Sequence, residues 1–329
     1  MISIRREKWI PVRKSNLKYY DDIDLYYRNK SSGNILLYKS SGMEISDLRL
    51  KDKPYTGDLY IRPEDKSKCL RQVQKGFSLD LDQSMAVGVD KVKENLINII
   101  DETLHEPRSG GLEVIPDTID IIVESYSKQP DVIKNLAKIS HSDYTTTIHS
   151  INVMALTVGY CFFTKKTFEK TVEYGLTALF HDIGKTEIPQ KILTSVNQLT
   201  DLEFSTMKRH TLLGAEILQA NSPAVHCAIP GTLEHHEKLD GKGYPYGLTK
   251  ISEIGQILAI IDSYEAITND ERMYRNAMEP LEALTILKEE VDRKRLNREY
   301  FENFAYSLTD FTKSNRDKSF RKIFSGSDI

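Results

Sequence analysis

The chain contains eight histidines. Five of them, His149, His181, His210, His235 and His236, fall in helical-looking segments beside acidic residues or beside one another, whereas His105, His141 and His226 have no such setting. His181-Asp182 closes the apolar run 174–180, with Gly184 just beyond it. Adjacent residues on a helix diverge by about 100 degrees, so the two side chains can face different ions at one depth. An imidazole nitrogen binds one cation, while a carboxylate has two oxygens and can bridge two. Alone, such a pair is more often a buried histidine hydrogen-bonded to its neighbourhood.

Other segments add to it. His149 lies on a helix predicted for residues 145–164. His210 lies on a helix that Thr200 and Glu203 open as a T-x-x-E capping box, beside the apolar Leu213, Ile217 and Leu218. The doublet His235-His236 ends a helix that Ser222-Pro223 can start. Asp262 interrupts the apolar run 258–261, on a helix over 257–267 that Ser252 can cap. A carboxylate in so apolar a run needs a strong partner, because burying an unpaired charge is very costly. A metal is one such partner; a lysine or backbone donors are the alternative. Four helices, each bringing a His or Asp beside an apolar face, point jointly to a metal site. Imidazole with carboxylate suits iron, manganese or zinc. Two such ions about 3.5–4 Å apart would make a bridging hydroxide and clamp a phosphoryl group.

The elements that must position these residues divide the chain. Runs 23–27 and 35–38 flank Asn29-Lys30-Ser31-Ser32-Gly33 as a hairpin, and residues 59–61 form another short strand before Pro63. From about Leu79 the pattern turns helical. Asp82 can cap a helix carrying Met85, Val89, Val92, Leu96, Ile99 and Ile100 at three-to-four spacing. A loop at 106–111 ends it, and helices are predicted at 116–127 and 130–139. This gives a small β-rich N-terminal module over 1–76, a helical linker over 77–112, an all-α domain over 113–329 and a polar tail after Thr312. The module is either a packing cap or a sensor.

With 40% hydrophobic and 28% charged residues and a net charge of −3 over 329 residues, the chain is an ordinary globular one, neither disordered nor strongly basic. That balance gives no sign of a DNA partner, yet leaves room for a local cationic pocket. Cys69, Cys161 and Cys227 form no C-x-x-C pair, which argues against a disulfide framework or zinc knuckle and fits a reducing cytoplasm. No apolar run is long enough to predict a membrane span.

The strings His181-Asp182-Ile183-Gly184-Lys185 and His235-His236-Glu237, followed by Asp240-Gly241-Lys242-Gly243-Tyr244-Pro245, resemble the HD-GYP family of bacterial cyclic-di-GMP phosphodiesterases. The resemblance covers about 116–304 and includes Ile188-Pro189, Ile192-Leu193 and His210 followed by Gly214. Trp9-Ile10-Pro11-Val12 and Asp58-Leu59-Tyr60-Ile61 resemble an N-terminal module often fused to that domain. The resemblance implies an all-α catalytic helical bundle around a binuclear site, with iron first and manganese second. One ion would be held by His149, His181, Asp182 and Asp262; the other would share Asp182 and add His210, His235 and His236. A hydroxide between the ions would attack phosphorus in line. Asp182 and Lys185 would act at the reacting centre, and Lys185, Arg272 and Arg275 would bind phosphate. The bland alternatives are a surface lysine and solvated loop arginines. The Gly243-Tyr244-Pro245 turn is expected at the surface, as a candidate contact for GGDEF-type diguanylate cyclases.

The sequence also departs from the family. Thr145-Thr146-Thr147 stands where members carry Tyr-Thr-Tyr, and Tyr144 is one position out of register. Thr145 also replaces the glutamate through which some relatives recruit a third ion, so two ions are expected. One residue is inserted between Thr268 and Arg275, Met273 replaces a proline, and Glu265 replaces an aspartate. The ligands are intact while the substrate wall is altered. The expectation is a metal-dependent hydrolase of cyclic di-GMP. The alternatives are a phosphohydrolase for another nucleotide and a weakly active or inactive fold that serves as a binding module.

Overall fold

A computed structural model of the chain describes residues 9–12, 14–29, 32–43, 59–105, 111–113, 115–128, 146–195, 197–221, 223–268 and 278–311. The helix expected at 130–139, most of the loop at 106–111, Thr145, Arg272, Arg275 and the tail after Thr312 lie outside the described residues.

Strands β1 (Ile10–Val12), β2 (Leu25–Arg28), β3 (Ile35–Lys39) and β4 (Leu59–Ile61) form an antiparallel sheet in the order β1-β4-β2-β3. β2 and β3 are the predicted hairpin, with Tyr27 opposite Leu36. Its turn closes through Gly33, whose φ of 70° suits glycine and whose N–H donates to the Asn29 carbonyl at 2.8 Å. β4 lies between β1 and β2, pairing Ile61 with Ile10 and Tyr60 with Tyr26. Leu25, Leu59 and Ile61 turn inward and are buried.

Helix α1 (Lys66–Val87) starts well before the predicted Leu79. Cys69, Val73, Phe77 and Leu81 recur every four residues and are buried, which draws the helix back to Lys66. Asp82 is therefore an exposed residue inside α1, not its cap. Phe77 meets Tyr19 edge-on at 5.4 Å, and Asp80 accepts the Tyr19 hydroxyl at 2.7 Å, fastening α1 to the segment between β1 and β2. Gly88, at φ 141°, separates α1 from α2 (Val89–His105). α3 (Ile115–Lys128) follows, with Ile115, Ile119, Ile122 and Val123 inward.

Helices α4 (Thr146–Phe163), α5 (Phe168–Phe180) and α10 (Glu253–Thr268) form the centre of the helical part. α4 is buried continuously from Thr147 to Cys161. It is the one described helix long and apolar enough to cross a membrane, and it is 83% buried inside the protein. Around this centre lie α6 (Gln190–Leu193), α7 (Asp201–Lys208), α8 (His210–Gln219), α9 (Ile229–Glu234), α11 (Pro280–Asp292) and α12 (Arg298–Phe311). One continuous apolar core joins the sheet, α1 to α3 and the helical centre. Each fully buried Ile or Phe in it contributes about 1.5–3 kcal/mol by leaving water.

Two helix expectations change in detail. The Thr200–Glu203 capping box forms with both reciprocal bonds, but its helix α7 stops at Lys208 and His210 opens α8 instead. α7 buries none of its residues, whereas His210 is buried, so the break at Arg209 lets a surface helix hand over to an inward one. The segment starting at Pro223 is a 3-10 turn as far as Ala228, and the α-helix proper is α9.

Candidate metal centre

The centre begins at the end of α5. His181 closes that helix in α conformation and Asp182 turns away at φ −104°, ψ 8° into a 3-10 turn, Ile183–Glu187. Within that turn Gly184 touches the backbone of α8. A Cβ there would lie 1.9 Å from the His210 carbonyl oxygen and 2.4 Å from the Gly214 nitrogen. Only a residue without a side chain lets the two backbones approach this closely, and the approach sets His210 against Asp182. His149 enters from α4, His235 and His236 from just beyond α9, and Asp262 from α10. Ser252 caps α10, accepting the Gly255 N–H at 3.2 Å, while Glu234, beside the His doublet, accepts the Ser252 N–H at 2.7 Å.

Asp182 sits between two groups of imidazoles. Its Oδ1 is 3.3 Å from His210 Nε2 and 3.8 Å from His235 Nε2. Its Oδ2 is 3.4 Å from His181 Nε2 and 3.5 Å from His149 Nε2. Asp262 Oδ1 completes the second group, 3.0 Å from His149 Nε2 and 3.8 Å from His181 Nε2. His236 joins the first, with ligand atoms of Asp182, His210, His235 and His236 all within 4.8 Å of one another. All seven predicted ligands are thus brought together, and the carboxylate expected to bridge lies between the two groups.

The ring orientations are fixed from behind. His181 Nδ1 donates to the Ala178 carbonyl at 2.7 Å, His210 Nδ1 to Met207 at 2.8 Å and His235 Nδ1 to Thr232 at 3.0 Å. A ring that donates through Nδ1 presents a lone pair at Nε2, the form a cation needs. His149 is held differently: its Nδ1 meets Glu265 Oε2 at 2.5 Å, and Asn152 Nδ2 donates to Glu265 Oε1 at 2.7 Å.

Charge follows burial. Burial pulls His210 and His235 below the ordinary imidazole value and His236 to about 3, keeping all three neutral at pH 7. Burial also opposes a charge on His149, but Glu265 and Asp262 outweigh it and raise that imidazole to about 9. Burial would likewise raise Asp182; the Lys185 ammonium and then His181 overcome it and hold the carboxyl well below the usual range. Lys185 contacts Asp182 Oδ2 directly, three residues along, as its spacing predicts.

The donor set fits divalent cations. Asp182 Oδ1 is a buried oxygen without a hydrogen-bond partner among the described residues. The Nε2 atoms of His210 and His235 also face each other at 3.3 Å. Neutral imidazoles turned lone pair to lone pair repel unless a cation lies among them. An orphaned carboxylate oxygen amid such rings is a donor set that could hold a cation.

Three residues that support the site carry no role in the sequence analysis. Glu265 was noted only as a departure, yet it stands at i+3 from Asp262, as Asn152 does from His149, so helical spacing could have found both. Glu237, buried behind the doublet, accepts the N–H groups of Tyr246 at 2.7 Å and Leu248 at 2.9 Å and so fixes the glycine-rich loop. Gly243 lies against that anchor, where a Cβ would come within 2.4 Å of Glu237 Cα. The loop was expected at the surface. Gly243, Tyr244 and Pro245 are instead half-buried, because the Tyr244 ring stacks on His236 at 4.6 Å; Tyr246 is the exposed aromatic.

The sequence matches the HD-domain family model over residues 128–299, more than half of the chain. The chain belongs to the HD-domain family. The glycine-rich signature after the His doublet is consistent with the HD-GYP branch. This HD domain is similar to a cyclic di-GMP phosphodiesterase of Pseudomonas aeruginosa, 35% identical over 175 residues, covering 53% of this chain and 42% of that protein. It is also similar to a 3'3'-cGAMP-specific phosphodiesterase of Vibrio cholerae, 38% identical over 130 residues, covering 39% of this chain and 30% of that protein. The chain thus spans less than half the length of these curated relatives. Among solved structures, a HDG"Y"P protein from Bdellovibrio bacteriovorus aligns over 92% of this chain and 100% of its own, with a TM-score of 0.59 and 18% identity, so the two share the fold.

Proposed function

We propose that this HD domain is a two-metal phosphodiesterase that opens a cyclic dinucleotide, with cyclic di-GMP the preferred substrate. The observation that carries the reading is the placement of Asp182, with one oxygen toward His210 and His235 and the other toward His149 and His181. We assign one ion to His149, His181, Asp182 and Asp262, and the second to Asp182, His210, His235 and His236. Bound there, two divalent ions would polarise a phosphoryl oxygen and acidify water; iron is the first choice and manganese the second.

The chain's own residues do the rest. Backbone carbonyls behind His181, His210 and His235, Glu265 behind His149 and the Tyr244 ring against His236 orient the five imidazoles. Lys185 keeps Asp182 ionised, and its side chain, 21% exposed, can bring the ammonium to a non-bridging phosphate oxygen as a mobile point charge. Arg272 and Arg275 would add forked donors to the phosphates. We place the activity in the cytoplasm, which the three free cysteines fit. A diguanylate-cyclase partner docking on the glycine-rich loop would meet Tyr246 rather than the packed Tyr244.

The names of the relatives support the substrate class. Similarity to a 3'3'-cGAMP-specific enzyme favours a second reading in which that hybrid dinucleotide is turned over faster. The test is a panel assay. Full-length protein purified without oxygen is analysed for metal, then given cyclic di-GMP, 3'3'-cGAMP and their linear products, with products separated by chromatography. Two ions per chain and cyclic di-GMP turnover are expected. Two bound ions with no turnover of either cyclic dinucleotide would sink the proposal.

A further inference from the structure

We infer that Phe204, Lys208 and Tyr244 form a nucleobase-stacking subsite at the mouth of the metal centre; this rests on the reading of the site as a cyclic-dinucleotide phosphodiesterase. The mouth is located by exposure. His149, His181, Asp182, His210 and His235 are essentially closed to solvent, while His236 is half-buried and the Asp262 side chain is 12% exposed. A ligand therefore arrives past His236 and Asp262. Tyr244 is stacked on His236 at that rim, with ring centroids 4.6 Å apart and planes 30° apart. Phe204 continues the aromatic surface outward, edge-on to Tyr244 at 6.5 Å and 78°.

Phe204 does not serve the core. It belongs to α7, which buries no residue, and is itself 49% exposed. Lys208, one turn along on the same face, has no carboxylate partner among the described residues; its Nζ lies 4.9 Å from the Phe204 ring centre and 5.9 Å from that of Tyr244. A π face with a cation over it is the pairing that receives a base and its phosphate, since every base offers a π face of its own. Both walls are held before any ligand arrives. Glu237 anchors the loop that carries Tyr244, and the Thr200–Glu203 capping box fixes the start of α7. Such preorganisation lowers the cost of ordering side chains on binding.

The test uses the full-length, metal-loaded protein with two readouts, calorimetric binding of cyclic di-GMP and its turnover. Phe204→Leu keeps an apolar side chain but removes the π face. It is expected to raise Kd and KM by about 5- to 50-fold, with kcat and metal content unchanged. Phe204→Trp is expected to restore wild-type binding, which a space-filling role would not require. Lys208→Gln is expected to weaken binding and flatten its dependence on salt. A Phe204→Leu protein that binds like the wild type, or that loses metal, overturns the subsite. Binding that depends on Phe204 without turnover would keep the subsite and discard the phosphodiesterase reading. Turnover indifferent to Phe204 would do the reverse, and no binding by the wild type would overturn both.

Discussion

Glu265→Gln asks whether the charge behind His149 holds the metal centre together. Glu265 accepts from both His149 Nδ1, at 2.5 Å, and Asn152 Nδ2, at 2.7 Å. Glutamine has the same shape but one acceptor oxygen and an NH2 group. That oxygen can stay on His149, because Asn152 Oδ1 is buried with no hydrogen-bond partner among the described residues and can rotate to accept the new NH2. The substitution thus removes the charge while keeping the bond to His149, and the turned Asn152 Nδ2 takes the place of an oxygen that itself had no partner. A charge-assisted hydrogen bond is roughly twice as strong as a neutral one, so the expected loss at His149 is about 1–2 kcal/mol. That corresponds to about a 10-fold loss of metal affinity on the side of His149, His181 and Asp262, while Glu265→Ala, which also releases the ring, should cost about 100-fold. The ion among His210, His235 and His236 should persist. Metal content after dialysis against graded chelator, beside a thermal melt that checks folding, reads both sites. If Glu265→Gln and Glu265→Ala both keep two ions at wild-type affinity, the argument that Glu265 acts through His149 is wrong.

Three further outcomes are expected. Gly184→Ala would drive a methyl into the His210 carbonyl and the Gly214 nitrogen, which are backbone and cannot swing aside; overpacking of this kind costs about 1–3 kcal/mol, and a variant with unchanged melting temperature and two ions would contradict the close approach. Lys185→Gln should keep both ions but lower kcat/KM for cyclic di-GMP on the order of 100-fold if the ammonium meets the phosphate; steady-state kinetics beside metal analysis checks it, and full activity would remove Lys185 from the site. The metal-free protein should lose stability in acid. His210, His235 and His236 have folded pKa values below the ordinary imidazole value, His236 at about 3, so as pH falls below about 6.5 the unfolded chain takes up protons that the folded one refuses, at on the order of 1 kcal/mol per pH unit for each ring. His149 has the opposite sign: raised to about 9, its contribution is fully present below about 6.5 and fades as pH climbs to about 9. Melting temperatures of chelator-treated protein across that range read both limbs, and a profile flat down to about pH 5 would refute the acid one.

Much of this centre was legible in the sequence because its chemistry is local to short strings. His181-Asp182, the His235-His236 doublet and the charge of Asp262 at the end of the apolar 258–261 run each break a pattern that burial alone would set. The hairpin and the Thr200–Glu203 capping box were legible for the same reason, since turn and cap chemistry act over a few residues. What the sequence hid was governed by partners far along the chain. Asp82 looked like a helix start because the buried repeat Cys69, Val73, Phe77 and Leu81 shows its meaning only when packed against the module. Tyr244 looked like a surface residue because turn composition carries no trace of the His236 ring beneath it.

Glu265 shows the limit most clearly. As a residue type it reads as a conservative change from aspartate, and its spacing from Asp262 puts it on the right face. Its role depends on reaching His149, 116 residues earlier in the chain. The longer side chain carries the carboxylate one methylene farther from α10, so the same face of that helix supplies two acids at two depths: Asp262 faces His149 Nε2 and Glu265 faces His149 Nδ1. The two acids therefore clasp one imidazole from its two nitrogens, and the distance between α4 and α10 becomes a determinant of metal affinity. A substitution that widens that spacing without touching a ligand should weaken the ion at His149 before it weakens the one at His210.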